Sequence, residues 1–371
     1  MRILHVYKDY PPVLGGIENH LELLAEALVA RGHTVTVLVS GTGWRNEVSE
    51  RRGVRLVAAG RLATVASTPL SPTLPLLLAR ERPALIHLHH PYPPGDVAAL
   101  LGGRGVPLVV TYHSDIVRQK RLGVIIAPLV RQTLRRAARI IATSPAYIRS
   151  SPFLAPVASH CRVVPYGVPL ADFGHADPAL VAALRARYPG PVILFVGQLR
   201  YYKGADRLVR AMADVPARAI FVGADATVRR ADLEALAAAH GVSERVHFVG
   251  EQSGAALRAY YHAADVFTLP SVERSEAFGI VQIEAQAAGL PIVCTELDTG
   301  TSFVTRHGQT GIVVPPDDVP ALAHALRTLV ASPTLARAMG EAGRTRAHSE
   351  FSLSRMLDRI EAVYAEAVRG D

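Results

Sequence analysis

Pro270 to Pro291 reads PSVERSEAFGIVQIEAQAAGLP, and within it the hydrophobic pattern changes period. The residues just before it, Asp265 to Leu269 (DVFTL), are an apolar run of strand length. From Phe278 onward Ile280, Ile283 and Ala287 recur on one helical stripe, and Gly289 with Pro291 supplies a stop. The polar loop between strand and helix carries Glu273, Arg274, Ser275 and Glu276. Glu276 and Glu284 are therefore separated by seven residues, one at the helix mouth and one about a turn inside. A helix N-terminus offers unpaired N–H groups and a partial positive charge, which suit a phosphate or a sugar hydroxyl. Two carboxylates beside it can accept from hydroxyls and grip two sugar rings flanking one anion. The plainer alternative is that Glu276 complements the helix dipole and Glu284 is a solvated helix residue.

The same strand-loop-helix unit repeats along the chain, as in parallel sheets covered by helices. In the first half, strands are predicted at 3–7, 34–39, 54–58, 84–88, 107–112, 139–144 and 162–166, with helices near 17–30, 72–81, 95–103, 125–137 and 145–150. GVPLADFGHADP, from Gly167 to Pro178, is rich in Gly, Pro and Asp and reads as a linker. The alternation restarts with strands at 191–197, 219–223, 245–250, 265–269, 291–295 and 311–315. Helices are expected near 204–213, 227–240, 254–263, 279–288, 318–331 and 333–347, and a last amphipathic one over 353–369. The expected architecture is α/β with two domains, 1–170 and 171–351.

With 371 residues, 49% of them hydrophobic, two ordinary domains can each bury a core. The N-terminus, MRILHVYKDYPP, reads as a strand meeting charge and proline, not as a signal peptide, and no apolar run approaches the roughly 20 residues that span a bilayer. The protein is therefore expected to be soluble or peripheral. Cys161 and Cys294 belong to separate predicted strand regions, just before 162–166 and within 291–295, which excludes a cysteine metal cluster and fits a reducing compartment. The net charge of +8 is uneven: residues 1–175 hold 20 Lys+Arg against 10 Asp+Glu, the remainder 20 against 22. Ile116 to Ile140 carries seven basic residues and no acidic one, interleaved with Leu122, Val124, Ile125, Ile126, Leu129 and Val130. Such a mixture suits either an amphipathic face on anionic lipid or a core helix with a solvated outer face. No helix-turn-helix, zinc-finger or RNA-recognition pattern accompanies the charge, so nucleic acid is not an expected partner.

Other polar clusters follow predicted strands. GQLRYYKG, Gly197 to Gly204, has glycines at both ends of a turn, and Arg200 with Lys203 can neutralise a pyrophosphate. By itself it reads more plainly as a turn with surface cations. GGIE, Gly15 to Glu18, precedes a helix, and its glycines allow close backbone approach without the G-x-G-x-x-G spacing of a dinucleotide fingerprint. His113, with Ser114 and Asp115, stands just past strand 107–112, where ligands gather in open parallel sheets. A satisfied structural histidine is the plainer fate, for it and for His87, His89 and His90. No metal-ligand spacing accompanies these histidines.

Taken together, PSVERSEAFG with its two glutamates, GQLRYYKG and GGIE resemble a retaining nucleotide-sugar glycosyltransferase of the GT-B fold, in the family with the Glu-x7-Glu signature (glycosyltransferase family 4 type). The likeness spans nearly the whole chain. Through HSDIVRQ (His113 to Gln119), LRYYKG, RSEAFGIVQIEA and the TGTSFV segment it is similar to bacterial mannosyl- and rhamnosyltransferases of surface polysaccharide synthesis. The resemblance implies two Rossmann-like domains facing a cleft, the first on the acceptor side, the second holding the donor, with 352–371 crossing back to the first. It implies Glu284 on the ribose diol, Glu276 on hydroxyls of the donor sugar, and backbone N–H groups at Phe278, Gly279 and Ile280. It places Lys203, with Arg200, at the departing diphosphate, Val249 and Glu251 or Gln252 at the base, Gly16 facing the donor, and His113 beside the transferred sugar. Many relatives carry arginine where this chain has Gln198, which leaves Arg200 to supply that charge.

The implied reaction moves mannose or D-rhamnose from a GDP-sugar, a UDP-sugar being possible, onto a lipid-linked or growing glycan such as O-antigen, capsule or exopolysaccharide, with donor binding drawing the domains together. No essential metal or other cofactor is implied. The implied location is the inner face of the cytoplasmic membrane, reached through the basic apolar stretch 116–140. A nucleotide-sugar epimerase on the same scaffold and a non-catalytic glycan-assembly component are the alternatives.

Overall fold

Short runs of Val, Ile, Leu and Phe form strands because side chains alternate between two covered faces, so both parities are apolar. The computed structural model describes residues 1–13, 15–65, 68–115 and 120–370, with the backbone alone for 120–124. The chain divides into two compact units: Met1–Val164 with Met356–Asp371, and Pro165–Arg355.

The first unit contains β1 (Arg2–Val6), β2 (Thr34–Ser40), β3 (Glu47–Arg51), β4 (Val54–Ala59), β5 (Ala63–Val65), β6 (Thr68–Leu70), β7 (Leu85–His90), β8 (Leu108–Tyr112), β9 (Arg139–Ala142) and β10 (Cys161–Val163). Its main sheet runs β10-β9-β8-β7-β1-β2-β4-β3, and β5 pairs with β6 apart from it. Pairing in the main sheet is parallel except for β3, which lies antiparallel on β4. The second unit contains β11 (Val192–Val196), β12 (Arg218–Val222), β13 (Val246–Gly250), β14 (Val266–Leu269), β15 (Ile292–Thr295) and β16 (Gly311–Val314). These form one parallel sheet in the order β13-β12-β11-β14-β15-β16. Counted within the unit, that is the doubly wound order 3-2-1-4-5-6, whose direction of winding reverses between β11 and β14. Alternation along β11 is clear: Ile193 and Phe195 join one core with Leu208, Phe221 and Leu326, while Val192, Leu194 and Val196 join the other with Tyr261, Phe267 and Cys294.

Several expectations need correction. The chain divides at 164/165 and 355/356, not at 170/171 and 351/352. The segment read as a linker is built into the second unit. Val168 donates to the Phe351 carbonyl at 3.0 Å, Leu353 donates back to Val168 at 3.0 Å, and Leu170–Phe173 forms a helical turn. Tyr166, Val168 and Leu170 are buried with Phe278, Ile283 and Phe351. Their spacing is too irregular to register as a strand or a helix, but their apolar side chains fill the core. Strand β7 runs on through His89 and His90 instead of stopping at 88, and the fully exposed-patterned β3 escaped notice because it has no apolar face.

The last helix, Leu353–Arg369, buries Met356, Leu357, Ile360, Val363, Tyr364 and Ala367. Its polar side is tied to the first unit: Arg31 contacts Asp358 at 2.7 Å and Glu361 at 2.5 Å, and Arg139 contacts Glu366 at 2.7 Å. The basic stretch divides as well. Residues 116–119, including Arg118, lie outside the described residues, as do the side chains of Lys120 and Arg121. Lys120–Arg136 is a helix in which Arg136 folds onto the carbonyls of Ala99, Gly103 and Val106, while Arg131 and Arg135 stay exposed. Thus Arg136 and Arg139 serve the unit's own structure and are lost to any basic outer face. Among the described residues, no helix is long and apolar enough to cross a membrane.

Candidate active site

In doubly wound sheets ligands bind beyond the carboxyl ends of the strands where the order reverses. GQLRYYKG leaves the end of β11, and PSVERSEAFG leaves the end of β14, the two strands on either side of that reversal. The loops are locked together. Val272 donates to the Tyr202 carbonyl at 2.8 Å, and Gly204 sits at φ 69° with a Cβ position 1.9 Å from the Pro270 carbonyl oxygen, so no other residue fits there. The TGTSFV segment braces the glutamate loop from behind: Thr299 donates to the Glu276 carbonyl at 2.9 Å and Gly300 to that of Ala277 at 2.7 Å. A side chain on Gly300 would strike Phe278, 2.3 Å away.

This bracing brings Lys203 and Glu276 together, Nζ to Oε2 at 2.7 Å, with both side chains mostly buried. Burial opposes the Lys203 charge, but the Glu276 carboxylate more than offsets it and holds the ammonium above its usual value. Arg200 is exposed and is held from below by Gln198, whose Oε1 accepts from its Nε at 3.0 Å and from an Nη at 2.8 Å. Gln198 thus fixes the guanidinium two residues on. Glu284, in the first turn of helix Val281–Ala287, accepts from the Tyr261 hydroxyl at 2.6 Å. Burial raises the Glu284 carboxyl, and the Tyr261 hydrogen bond only partly counteracts it.

The remaining predicted donor residues differ in what they offer. Phe278 is buried against Tyr166, ring centroids 5.1 Å apart, so only its backbone remains for a ligand. Gly279 takes φ 77° to turn the chain into the helix that Ile280 opens. Val249 is the last residue but one of β13, and its carbonyl already accepts from the Gln252 side chain at 3.0 Å.

In the first unit, helix Gly16–Ala30 starts directly after Gly15. Glu18 curls back over it: a Cβ on Gly15 would lie 2.1 Å from the Glu18 carboxylate, and Lys8 approaches the same carboxylate at 3.5 Å. Glu18, at the third helical position, sets its carboxylate over the helix start, where it complements the helix dipole. Gly16 is different, because among the described residues nothing lies within 4 Å of where its Cβ would be.

His113 is buried within a cluster that the sheet assembles from adjacent strands. His5 on β1 is in register with His87 on β7, and His89 with Thr111 on β8, so period-two alternation turns His5, His87, His89 and Thr111 to one face. His113 follows two residues after Thr111. His5 Nδ1 lies 3.0 Å from His89 Nε2, and His89 Nδ1 lies 2.9 Å from His113 Nε2. His87 is bonded on both nitrogens, to the Tyr364 hydroxyl at 2.7 Å and the Thr111 hydroxyl at 2.6 Å. Burial, with some repulsion from neighbouring histidines, lowers His5 to about 3 and His89 and His113 well below 6.5, so these rings are neutral.

Models of two families match the chain, "Glycosyltransferase Family 4" over residues 14–172 and "Glycosyl transferases group 1" over 180–346. D-rhamnosyltransferase WbpZ of Pseudomonas aeruginosa is 35% identical over 359 residues, 95% of this chain and 92% of that protein. The chain is a glycosyltransferase of this family. O-antigen chain mannosyltransferase C of Escherichia coli is 33% identical over 375 residues, 98% of each chain. Sucrose-phosphate synthase from Thermosynechococcus elongatus superposes with a TM-score of 0.83 at 26% identity, covering 100% of this chain and 99% of its own. The hexosyltransferase therefore has the GT-B fold that its motifs suggested.

Three features of the glycosyltransferase were not found from its sequence. Tyr261 gave no signal as the partner of Glu284, because it reaches it from a different helix. The Gln198–Arg200 clasp is local and could have been suspected from the i, i+2 spacing in a turn. The grouping of His5, His87 and His89, whose nitrogens lie within 4.8 Å of one another, brings together histidines whose spacing in the sequence gave no sign of it. It needs strand order and register, which spacing alone does not supply.

Proposed function

We propose that the second unit binds a GDP-sugar, a UDP-sugar being the alternative donor, and that the enzyme transfers its hexose, mannose or D-rhamnose, with retention onto a growing bacterial surface glycan. The observation that carries this reading is the Lys203–Glu276 pair at 2.7 Å in the loops that lead to the Glu284 helix, at the point where the sheet order reverses. Without donor, the ammonium and the carboxylate satisfy each other. With donor, Lys203 turns to the diphosphate, assisted by Arg200, and Glu276 accepts from sugar hydroxyls. Glu284 then clasps the ribose diol, the N–H groups of Phe278, Gly279 and Ile280 face the donor, and the loop at Val249 meets the base. Fixed charge at the departing diphosphate lowers the barrier without a covalent nucleophile. The named rhamnosyl- and mannosyltransferase relatives support the sugar and the O-antigen type of acceptor. The test is a panel of GDP- and UDP-sugars with and without a lipid-linked acceptor extract. Nucleotide release that requires acceptor is expected for GDP-mannose or GDP-rhamnose; release without acceptor, or none, overturns the reading.

In the first unit Gly16 and His113 are proposed to meet the transferred sugar and phosphate. The open space at the Gly16 Cβ position supports this, since no neighbour among the described residues demands glycine there. Gly16→Ala should fold with unchanged or slightly raised melting temperature, alanine being the better helix former, while kcat/KM falls at least about tenfold. A fully active variant would remove Gly16 from the site.

Membrane docking at the inner face of the cytoplasmic membrane is the finer part of the proposal, and no metal or further cofactor is invoked. Ile125, 74% exposed, with exposed Arg131 and Arg135 on helix Lys120–Arg136, supports it. Sedimentation with vesicles should show preference for anionic over neutral lipid, and equal binding to both would rule it out.

A further inference from the structure

The first sheet also reverses its order, between β1 and β7, so its own ligand crevice lies beyond the carboxyl ends of those strands. Lys8 and Asp9 leave the end of β1 there, and Arg61 reaches them from the end of β4. The three side chains are between 17 and 31% exposed. With Glu18 they form a string. Arg61 Nη2 donates to Asp9 Oδ1 at 3.1 Å, Lys8 Nζ lies 4.0 Å from Asp9 Oδ2, and the same Nζ lies 3.5 Å from Glu18 Oε1. Glu18 in turn covers the start of the helix that Gly16 opens.

As a structural brace the string is poorly closed. One of its three contacts has the length of a hydrogen bond, and the two made by Lys8 are longer. Arg61 Nε is buried and has no hydrogen-bond partner among the described residues, which costs a fold that gains nothing from it. The neighbouring hydroxyls behave differently: Ser71 donates to Ser40 at 2.9 Å, and Ser40 meets Tyr92 at 2.7 Å. Those three satisfy one another, whereas Lys8, Asp9 and Arg61 keep donors and a carboxylate oxygen in reserve at the strand ends.

The balance of charge narrows what they are kept for. Two cations stand among two carboxylates, so the string is neutral as a whole. A phosphate placed there meets Asp9 and Glu18 as well as the cations, but a sugar hydroxyl donates and accepts and can use both kinds of group. We propose that Lys8, Asp9 and Arg61 form a subsite for the terminal sugar of the acceptor glycan. Asp9 Oδ2 accepts from one hydroxyl, and Lys8 and Arg61 donate to the oxygens beside it. Naming that sugar the acceptor rests on the reading that Gly16 borders the transferred sugar; sugar binding by the string does not.

The experiment is saturation-transfer NMR of methyl α-D-mannopyranoside and methyl α-D-rhamnopyranoside with the full chain in the presence of GDP. At least one glycoside should give a signal with the wild type, and Asp9→Asn should weaken its binding about tenfold or more. Asparagine keeps an oxygen for Arg61, so the variant should melt close to wild type; should it fail to fold, Lys8→Met carries the same expectation. Glu276→Gln and added inorganic pyrophosphate should leave the signal in place. No signal from the wild type with either glycoside, equal signals from wild type and Asp9→Asn, or displacement by pyrophosphate overturns the subsite. So does a signal lost only in Glu276→Gln, which puts the sugar in the donor pocket. In the transfer assay Asp9→Asn should raise the KM for acceptor at least about tenfold with the donor KM unchanged, and a rise in donor KM instead overturns the acceptor assignment. If the wild type consumes no donor at all, the functional reading fails while the spectra still decide the subsite.

Discussion

Lys203→Ala should lower kcat about 100- to 1,000-fold, the usual loss when one fixed charge is withdrawn from a developing anion. It should also destabilise the fold, for a reason independent of catalysis. The substitution leaves Glu276 buried without its 2.7 Å partner. Breaking a buried pair on one side costs about 3–5 kcal/mol, and since both side chains retain some solvent the loss here should be about 2–3 kcal/mol. The double variant Lys203→Ala with Glu276→Gln removes the stranded charge as well. It should recover most of the lost melting temperature yet remain inactive. Calorimetric melting and a donor-consumption assay on the two proteins separate the effects. An active Lys203→Ala enzyme would mean that the diphosphate is held elsewhere. Because the Lys203 ammonium is held above its ordinary 10.5, the stability linked to its titration is complete below that pH and is lost as pH rises through the folded value.

Glu284→Gln should act in opposite senses on stability and binding. Burial raises the Glu284 carboxyl above its ordinary 4.5, so the folded protein holds that proton more tightly than the unfolded chain does. Folding stability due to this group therefore falls as pH rises from about 4.5 through the folded value. Glutamine carries no such charge and can still accept from Tyr261. The variant should melt above wild type at pH 8, with the gap closing toward pH 4. Nucleotide affinity should fall about 10- to 100-fold, because a hydrogen bond to a charged group is worth about 1.5–3 kcal/mol. A variant that melts higher and binds as well as wild type would place the ribose away from Glu284.

Local features of the sequence announced most of this. The strand and helix alternation predicted both parallel sheets, since covered strands read as continuous apolar runs and their boundaries are marked by Gly, Pro and polar loops. The loops after β11 and β14 were legible because their chemistry, a lysine in one and glutamates in the other, is concentrated in a few residues. That they sit on the two strands where the order reverses was not legible, because strand order is a long-range property. The same limit hid the histidine cluster. His5, His87, His89 and His113 are scattered over more than a hundred residues of sequence and meet only through the β1-β7-β8 neighbourhood. The segment from Gly167 failed for another reason: its Gly, Pro and Asp content signals a loop, and a loop can still bury Val168 and Leu170 in a core.

A crystal structure with GDP bound tests the central claim most directly. The account predicts the ribose diol on the Glu284 carboxylate and the diphosphate on Lys203, with the Lys203–Glu276 contact opened. Nucleotide bound anywhere else, with that contact intact and Glu284 still closed on Tyr261, would contradict it.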